Sequence, residues 1–239
     1  MDAEKPILGQ VALVTGASRG IGLAIARRLG EMGARVAICA RHTKTLSDAA
    51  DALRRGGCEA LGVVADVSRP QDVSALVRQT NETFGEIDIL VNNAGIGVFG
   101  PVQQLEERDW DRVMDTNLKA VFLCSKAVAP QMVRRRTGHI INISSLAGKN
   151  AFAGGSVYCA SKWGLLGLTY CMAEDLRAYG VRVSAVCPGT VQTEFSPHSG
   201  KDPDKMLRPE DVAHAVAMLV TQAPQSFISE VLLRPTQKP

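Results

Sequence analysis

Residues Thr15 to Gly22 read TGASRGIG, and the five residues Val11 to Thr15 that lead into them read VALVT. A short apolar, β-branched run has the composition of a strand buried on both faces. From about Ile21 to Met32 the apolar residues follow helical spacing. The glycines Gly16, Gly20 and Gly22 therefore stand between a strand and a helix. Glycine in that place lets backbone approach a pyrophosphate at the helix N-terminus. The spacing is G-x-x-x-G-x-G, and a tight turn with no ligand is the bland reading of it. The strand–turn–helix setting favours the ligand.

The same unit repeats outward. Further strand-like runs begin at Arg35 (RVAICA), Ala60 (ALGVVAD), Ile87 (IDILVNN), His139 (HIINIS), Val181 (VRVSAVCP) and Phe227 (FISEVLLRP). Helical spacing occupies roughly Thr43 to Arg55, Pro70 to Phe84, Glu106 to Arg135, Val157 to Tyr179 and Pro209 to Gln222. Strand and helix in alternation predict an α/β fold: a doubly wound parallel sheet of about seven strands with helices on both faces. No linker or repeat divides residues 1–239, which read as a single domain. The polar stretch within 191–209 (QTEFSPHSGKDPDKMLRP from Gln192) reads as a loop over a substrate site.

Composition narrows the partners. The chain has 239 residues, 46% of them hydrophobic, and a net charge of +3. That charge is too mild to imply nucleic acid or an anionic membrane surface. No apolar run approaches the ~18 residues of a membrane span, and MDAEKPILGQ lacks the apolar core of a signal peptide. The basic run Arg134 to Arg136 reads as a solvated last helical turn rather than a docking patch. Six scattered cysteines (Cys39, Cys58, Cys124, Cys159, Cys171, Cys187) read as reduced thiols in a cytoplasmic protein. The four histidines lack metal-ligand spacing, so no metal is expected.

The second strand ends in Ala40 and Arg41. An NAD site expects a carboxylate there for the ribose 2′-hydroxyl. A guanidinium suits a 2′-phosphate instead, and Arg19 in the glycine turn is placed to reach it from the other side. Both point to NADP(H). Asp66, after the third strand in ADV, fits an adenine contact or a cap on the next helix. NNAG (Asn92 to Gly95) closes the fourth strand at the edge where open α/β sheets bind ligands, or ties strand ends together.

In SVYCASKWG, Tyr158 and Lys162 share one helix face at i and i+4. An ammonium beside a phenol favours the phenolate. Moving tyrosine from ~10 down by roughly 3 units takes about 4 kcal/mol. Two unit charges about 4 Å apart at an effective dielectric near 20 supply about that. The pair is therefore expected to make an acid–base tyrosine.

TGASRGIG, NNAG, Asn117, NISS (Asn142 to Ser145), YCASK (Tyr158 to Lys162) and PGTVQT (Pro188 to Thr193) resemble, in order and spacing, the motifs of short-chain dehydrogenases/reductases. The resemblance runs from about Gln10 to Thr193. It implies a Rossmann-type fold and a catalytic set of Asn117, Ser145, Tyr158 and Lys162. Tyr158 would be the general acid, Ser145 a donor to the same carbonyl oxygen, and Lys162 a holder of the nicotinamide ribose. Asn117 would hold a water that reloads the proton. Ser145 is the family serine by its distance from the tyrosine, and Ser144 would face the other way. The implied NADP(H) site comprises Gly16, Ser18, Arg19, Gly20, Ile21 and Gly22 in the first turn, and Arg41, Asp66 and Val67 beyond the next two strands. It continues with Asn93, Ala94 and Gly95, then Tyr158 and Lys162, and Pro188, Gly189, Val191 and Thr193.

Much of the chain is similar to β-ketoacyl-[acyl-carrier-protein] reductases and to NADPH carbonyl reductases. A 3-oxoacyl-thioester reductase is the expected type. A general carbonyl or diketone reductase, an alcohol dehydrogenase and a non-catalytic NADP(H) sensor are the alternatives. FISEVLLRPTQKP, from Phe227, lacks the glycine-rich segment around Asp-Gly-Gly usual in the first group. Candidate substrate-facing residues are Val98, Phe99, Lys149, Phe152 and the 191–209 loop. The resemblance also implies a homo-oligomer, a tetramer or dimer, formed by the helices around Glu106 to Arg135 and Val157 to Tyr179.

Overall fold

A computed structural model of the chain describes residues 5–195 and 202–239. Among them, seven parallel strands form one sheet: β1 (Val11–Thr15), β2 (Arg35–Ala40), β3 (Ala60–Val64), β4 (Ile89–Asn92), β5 (Gly138–Ile143), β6 (Val181–Pro188) and β7 (Glu230–Leu233). Their spatial order is β3-β2-β1-β4-β5-β6-β7. The chain winds outward from β1 to one edge, returns, and continues from β4 to the other. Strand order thus reverses between β1 and β4, where such sheets leave a crevice outside their carboxyl ends.

The helices are α1 (Gly20–Glu31), α2 (Thr43–Arg55), α3 (Pro70–Phe84), α4 (Glu107–Met114), α5 (Ala120–Arg135), α6 (Ser156–Arg177) and α7 (Pro209–Val220). Strand alternation explains how both faces are covered. Ala12 and Val14 of β1 join a core with Ile25 and Leu29 of α1 and Val216 of α7. Val11 and Leu13 join the opposite core with Leu76 of α3 and Val128 and Met132 of α5. No helix among the described residues is long and apolar enough to cross a membrane.

The expected helix from Glu106 to Arg135 is not continuous. A five-residue π-helical turn, Asp115–Lys119, separates α4 from α5. Periodicity does not mark such a turn, because apolar spacing continues through it. Its cause is tertiary: Asn117 at its centre is fully buried and bonded to another segment. Such turns occur often at functional sites.

The basic run is also more than a solvated end. Arg134 pairs with Glu86 at 2.7 Å. Arg135 donates to Asp88 Oδ1 at 2.7 Å and to the Ile87 carbonyl at 2.6 Å. Asp88 Oδ2 in turn accepts the Val11 amide at 2.8 Å. The run therefore fastens the end of α5 to the start of β4 and β1, at the edge opposite the crevice.

Candidate active site

Because all strands run one way, their carboxyl ends and the segments that follow them share one edge of the sheet. A cleft of about 1650 Å³ opens there. Its wall includes every expected catalytic and cofactor residue named above except Asn117.

The glycine turn is built by close approach. Gly16 and Gly20 have φ of +64° and +56°, a region that suits glycine. A methyl on Gly16 would lie 2.7 Å from Ala94 Cα, and one on Gly22 would lie 2.6 Å from the Gly16 carbonyl oxygen. Thr15 Oγ1 accepts the amides of Asn93 and Ala94 at 3.0 and 3.1 Å. Asn93 Nδ2 donates to the carbonyls of Thr15 and Gly16 at 3.0 and 3.1 Å. Asn92 Nδ2 donates to Asn142 Oδ1 at 2.9 Å, which links β4 to β5. The asparagine side chains thus tie strand ends together, and Ala94 and Gly95 line the cleft beside them.

Arg41 and Arg19 both reach the cleft. Arg19 forms an ion pair with Glu194, from the segment after β6, and both side chains are exposed. Asp66 Oδ1 accepts the amide and the hydroxyl of Ser68 at 3.0 and 2.7 Å. It closes a turn two residues before the first turn of α3 rather than capping that helix. Burial pushes the Asp66 carboxyl up, but the Ser68 bonds and the charges of Arg41 and Arg69 hold it below the usual range.

Ser145 begins a short 3₁₀ turn, Leu146–Gly148, and its Oγ accepts the Ala147 amide at 3.1 Å. It also lies near enough to the Tyr158 phenol to favour the phenolate. Ser144 also lines the cleft, and its hydroxyl donates to the Lys162 carbonyl at 3.4 Å. Lys162 Nζ donates to the Ile143 carbonyl at 3.0 Å and lies 5.8 Å from the Tyr158 ring centroid.

Here the sequence expectation needs correcting. The Tyr158 phenol is not lowered; burial pushes it up to about 12, with Ser145 opposing. Burial also pushes the Lys162 ammonium down to about 8. Each charged form loses water, and Lys162 is held by a backbone carbonyl rather than by the phenol oxygen.

Asn117 lies off the cleft wall. Its Oδ1 accepts the Ile96 amide at 2.8 Å, and its Nδ2 donates to the Ile96 carbonyl at 2.9 Å and to Ser161 Oγ at 3.0 Å. Both amide hydrogens are committed, and one oxygen lone pair remains for the expected water.

Beyond Tyr158 the wall changes character. Phe99, Phe152 and Phe195 line it, with Ile96 and Leu146. Lys149 and Val98, expected to face substrate, do not. Lys149 donates to Tyr170 Oη at 2.8 Å and pairs with Glu230 of β7 at 2.9 Å. Of the expected substrate loop, residues 196–201 lie outside the described residues. His42, Thr45 and the segment Arg234 to Pro239 also line the cleft, and sequence reading missed them. Topology held the signal for the last: a seventh parallel strand ends on the same edge as the other six.

Residues 10–204 match the family described as short chain dehydrogenase. The chain is 38% identical over 232 residues to a 3-oxoacyl-[acyl-carrier-protein] reductase of Synechocystis sp., covering 93% of this chain and 94% of that one. It is 37% identical over 225 residues to the 3-oxoacyl-[acyl-carrier-protein] reductase FabG of Staphylococcus epidermidis, covering 90% and 92%. Among solved structures it resembles a metagenomic short-chain oxidoreductase in complex with NADP, with TM-score 0.87 and 47% identity over 98% of this chain and 100% of that one. It also resembles an actinorhodin polyketide ketoreductase with NADPH, with TM-score 0.88 and 37% identity over 94% and 95%.

Proposed function

We infer, from the premise that the chain belongs to the short-chain dehydrogenase family, that it reduces a carbonyl to an alcohol at Tyr158. It is an NADP(H)-dependent oxidoreductase of the 3-oxoacyl-[acyl-carrier-protein] reductase type. The observation that carries the residue assignment is a single juxtaposition. A proton-bearing phenol, with Ser145 beside it, stands where a glycine cradle meets an apolar wall in one cleft.

The residues present fit NADP(H). The Gly16–Gly22 turn has no room for a methyl where backbone must come close. At the end of β2 the cleft offers the Arg41 guanidinium, which suits a 2′-phosphate. Arg19, Gly95, Pro188 and Thr193 complete the expected wall. Bound NADPH supplies the hydride.

Tyr158 keeps its proton throughout the neutral range, because burial holds the phenol high. It donates that proton to the carbonyl oxygen as negative charge develops there. Ser145 donates a second hydrogen bond to the same oxygen. Lys162, buried beneath the phenol ring, stabilises the phenolate left behind and orients the cofactor's ribose. Asn117 acts as a positioning residue by fixing Ile96 at the cleft edge, with its free lone pair facing a relay water.

We also read the protein as a cytoplasmic homo-oligomer, a dimer or tetramer. Half-exposed aromatics on three helices support this: Trp110 of α4, Phe122 of α5, and Trp163 and Tyr170 of α6. Residues 1–239 are read as one domain, with 191–209 as the substrate loop. NADPH and NADH oxidation, measured side by side with a 3-oxoacyl thioester, tests the reading. Turnover favouring NADPH is expected. Turnover of simple ketones alone would move the chain to general carbonyl reduction, and none with any carbonyl would overturn catalysis.

A further inference from the structure

We propose that the end of the cleft beyond Tyr158 recognises an aromatic ring attached to the reacting carbonyl, so that the preferred substrate is an aryl 3-oxoacyl ester or thioester. This rests on the carbonyl-reducing reading above. Three phenylalanines from three separate segments gather beside the tyrosine: Phe99 after β4 and Phe195 after β6 contact its ring, and Phe152 before α6 extends the row from Phe99. The Phe99 ring lies 5.4 Å from the Tyr158 ring at 64°. Phe195 lies 5.8 Å from Tyr158 at 54°. Phe152 lies 6.1 Å from Phe99 at 41°. These are the separations and tilts of interacting rings.

The cluster is open on its cleft side. Phe99, Phe152 and Phe195 are 38%, 49% and 42% exposed. Apolar rings grouped in this way and left half uncovered mark a surface built to be covered. Glycine makes the seats. A methyl on Gly97 would lie 2.6 Å from the Phe99 ring and 3.2 Å from that of Phe195, and one on Gly155 would lie 2.6 Å from Phe152.

Charge is drawn away from this wall. Lys149 is held by Tyr170 and Glu230, and Glu194, beside Phe195, is held by Arg19. A methyl ketone would leave the three rings in water. A long saturated chain would cover them only by freezing its own rotors. A flat ring covers them rigidly and joins the edge-to-face cluster, gaining contact beyond its area.

The test compares kcat/KM with NADPH for three esters: ethyl 3-oxo-3-phenylpropanoate, ethyl 3-cyclohexyl-3-oxopropanoate and ethyl acetoacetate. In the wild type the phenyl ester is expected to exceed both others, and acetoacetate by about tenfold. Intrinsic ketone reactivity cancels when ratios are compared between wild type and variant. Phe99→Leu and Phe195→Leu are each expected to lower the phenyl-to-methyl ratio about threefold, and the double variant about tenfold. Equal ratios in wild type and variants would overturn the proposal, as would a cyclohexyl ester that matches the phenyl one. If the methyl ester turns over well and the phenyl ester does not, carbonyl reduction stands and aryl recognition falls. Turnover of none of the three would overturn both.

Discussion

At the cofactor end of the cleft the lining is largely backbone: Gly16 approaches Ala94, and Gly22 approaches Asn93 and the Gly16 carbonyl, so closely that no methyl fits. At the other end it is side chain: the rings of Phe99, Phe152 and Phe195, linked in one row through the Tyr158 ring. Backbone at close range has no rotamers with which to yield. Rings on loops can shift or be replaced. The cofactor end should therefore fail outright when altered, whereas the ring end should change what it prefers. Tyr158 stands at the junction and serves both.

The sharpest break of this contrast is Gly22→Val. Its new atoms would meet the Gly16 carbonyl and Ala17 Cα at 2.6 and 2.9 Å. Overpacking of this kind costs about 1–3 kcal/mol. NADPH affinity is expected to fall by at least about 100-fold, with a lower Tm. Calorimetric titration showing wild-type affinity would mean that the turn yields.

Next in size is Arg41→Ala. One charge-assisted phosphate contact is worth about 1.5–3 kcal/mol, so NADPH should bind at least about tenfold more weakly while NADH changes little. Equal losses for both cofactors would show that Arg41 does not read the 2′-phosphate.

A smaller effect concerns pH. Lys162 gives up its proton near pH 8 in the fold, against 10.5 ordinarily. Between those values the unfolded chain binds more protons, so the cost of burying this charge is fully present below pH 8 and is relieved as pH rises toward 10.5. For activity the sign is opposite, since the charge that steadies the phenolate is lost. kcat/KM for NADPH, which reports the free enzyme, should fall several-fold from pH 8 to 9. A flat profile to pH 10 would place the Lys162 pKa higher.

Glu194→Gln should do least. It frees Arg19 from an exposed ion pair, and such pairs are weak and screened by salt. NADPH affinity should rise about twofold at low salt and not at all at high salt. A weaker affinity would mean that Glu194 helps to place Arg19.

The same contrast governs what could be read in advance. β1, β2 and β6 and the helices Thr43–Arg55 and Pro70–Phe84 have the boundaries or starting points that their patterns gave, because local periodicity and burial agree there. The glycine turn was legible because a backbone requirement leaves few residue choices. The π-helical turn around Asn117 was not, since it depends on a partner, Ile96, in another segment. Lys149 was misread as substrate-facing because its neighbours Tyr170 and Glu230 are remote in the chain. Phe195 falls inside the expected substrate loop, but its meeting with Tyr158 exists only in three dimensions. The direction of the Tyr158 shift was missed for a related reason: helical spacing brings a charge near, while burial is set by the whole fold.

Tyr158→Phe, measured for turnover of a 3-oxoacyl thioester and for NADPH binding in the same preparation, tests the role of the phenol most directly. Loss of a positioned general acid typically costs about 10²- to 10⁴-fold. The expected result is turnover below about 1% of wild type with NADPH affinity within about threefold. A variant that keeps a substantial fraction of wild-type turnover, or one that loses NADPH binding along with activity, would contradict Tyr158 as the proton donor between the two ends of the cleft.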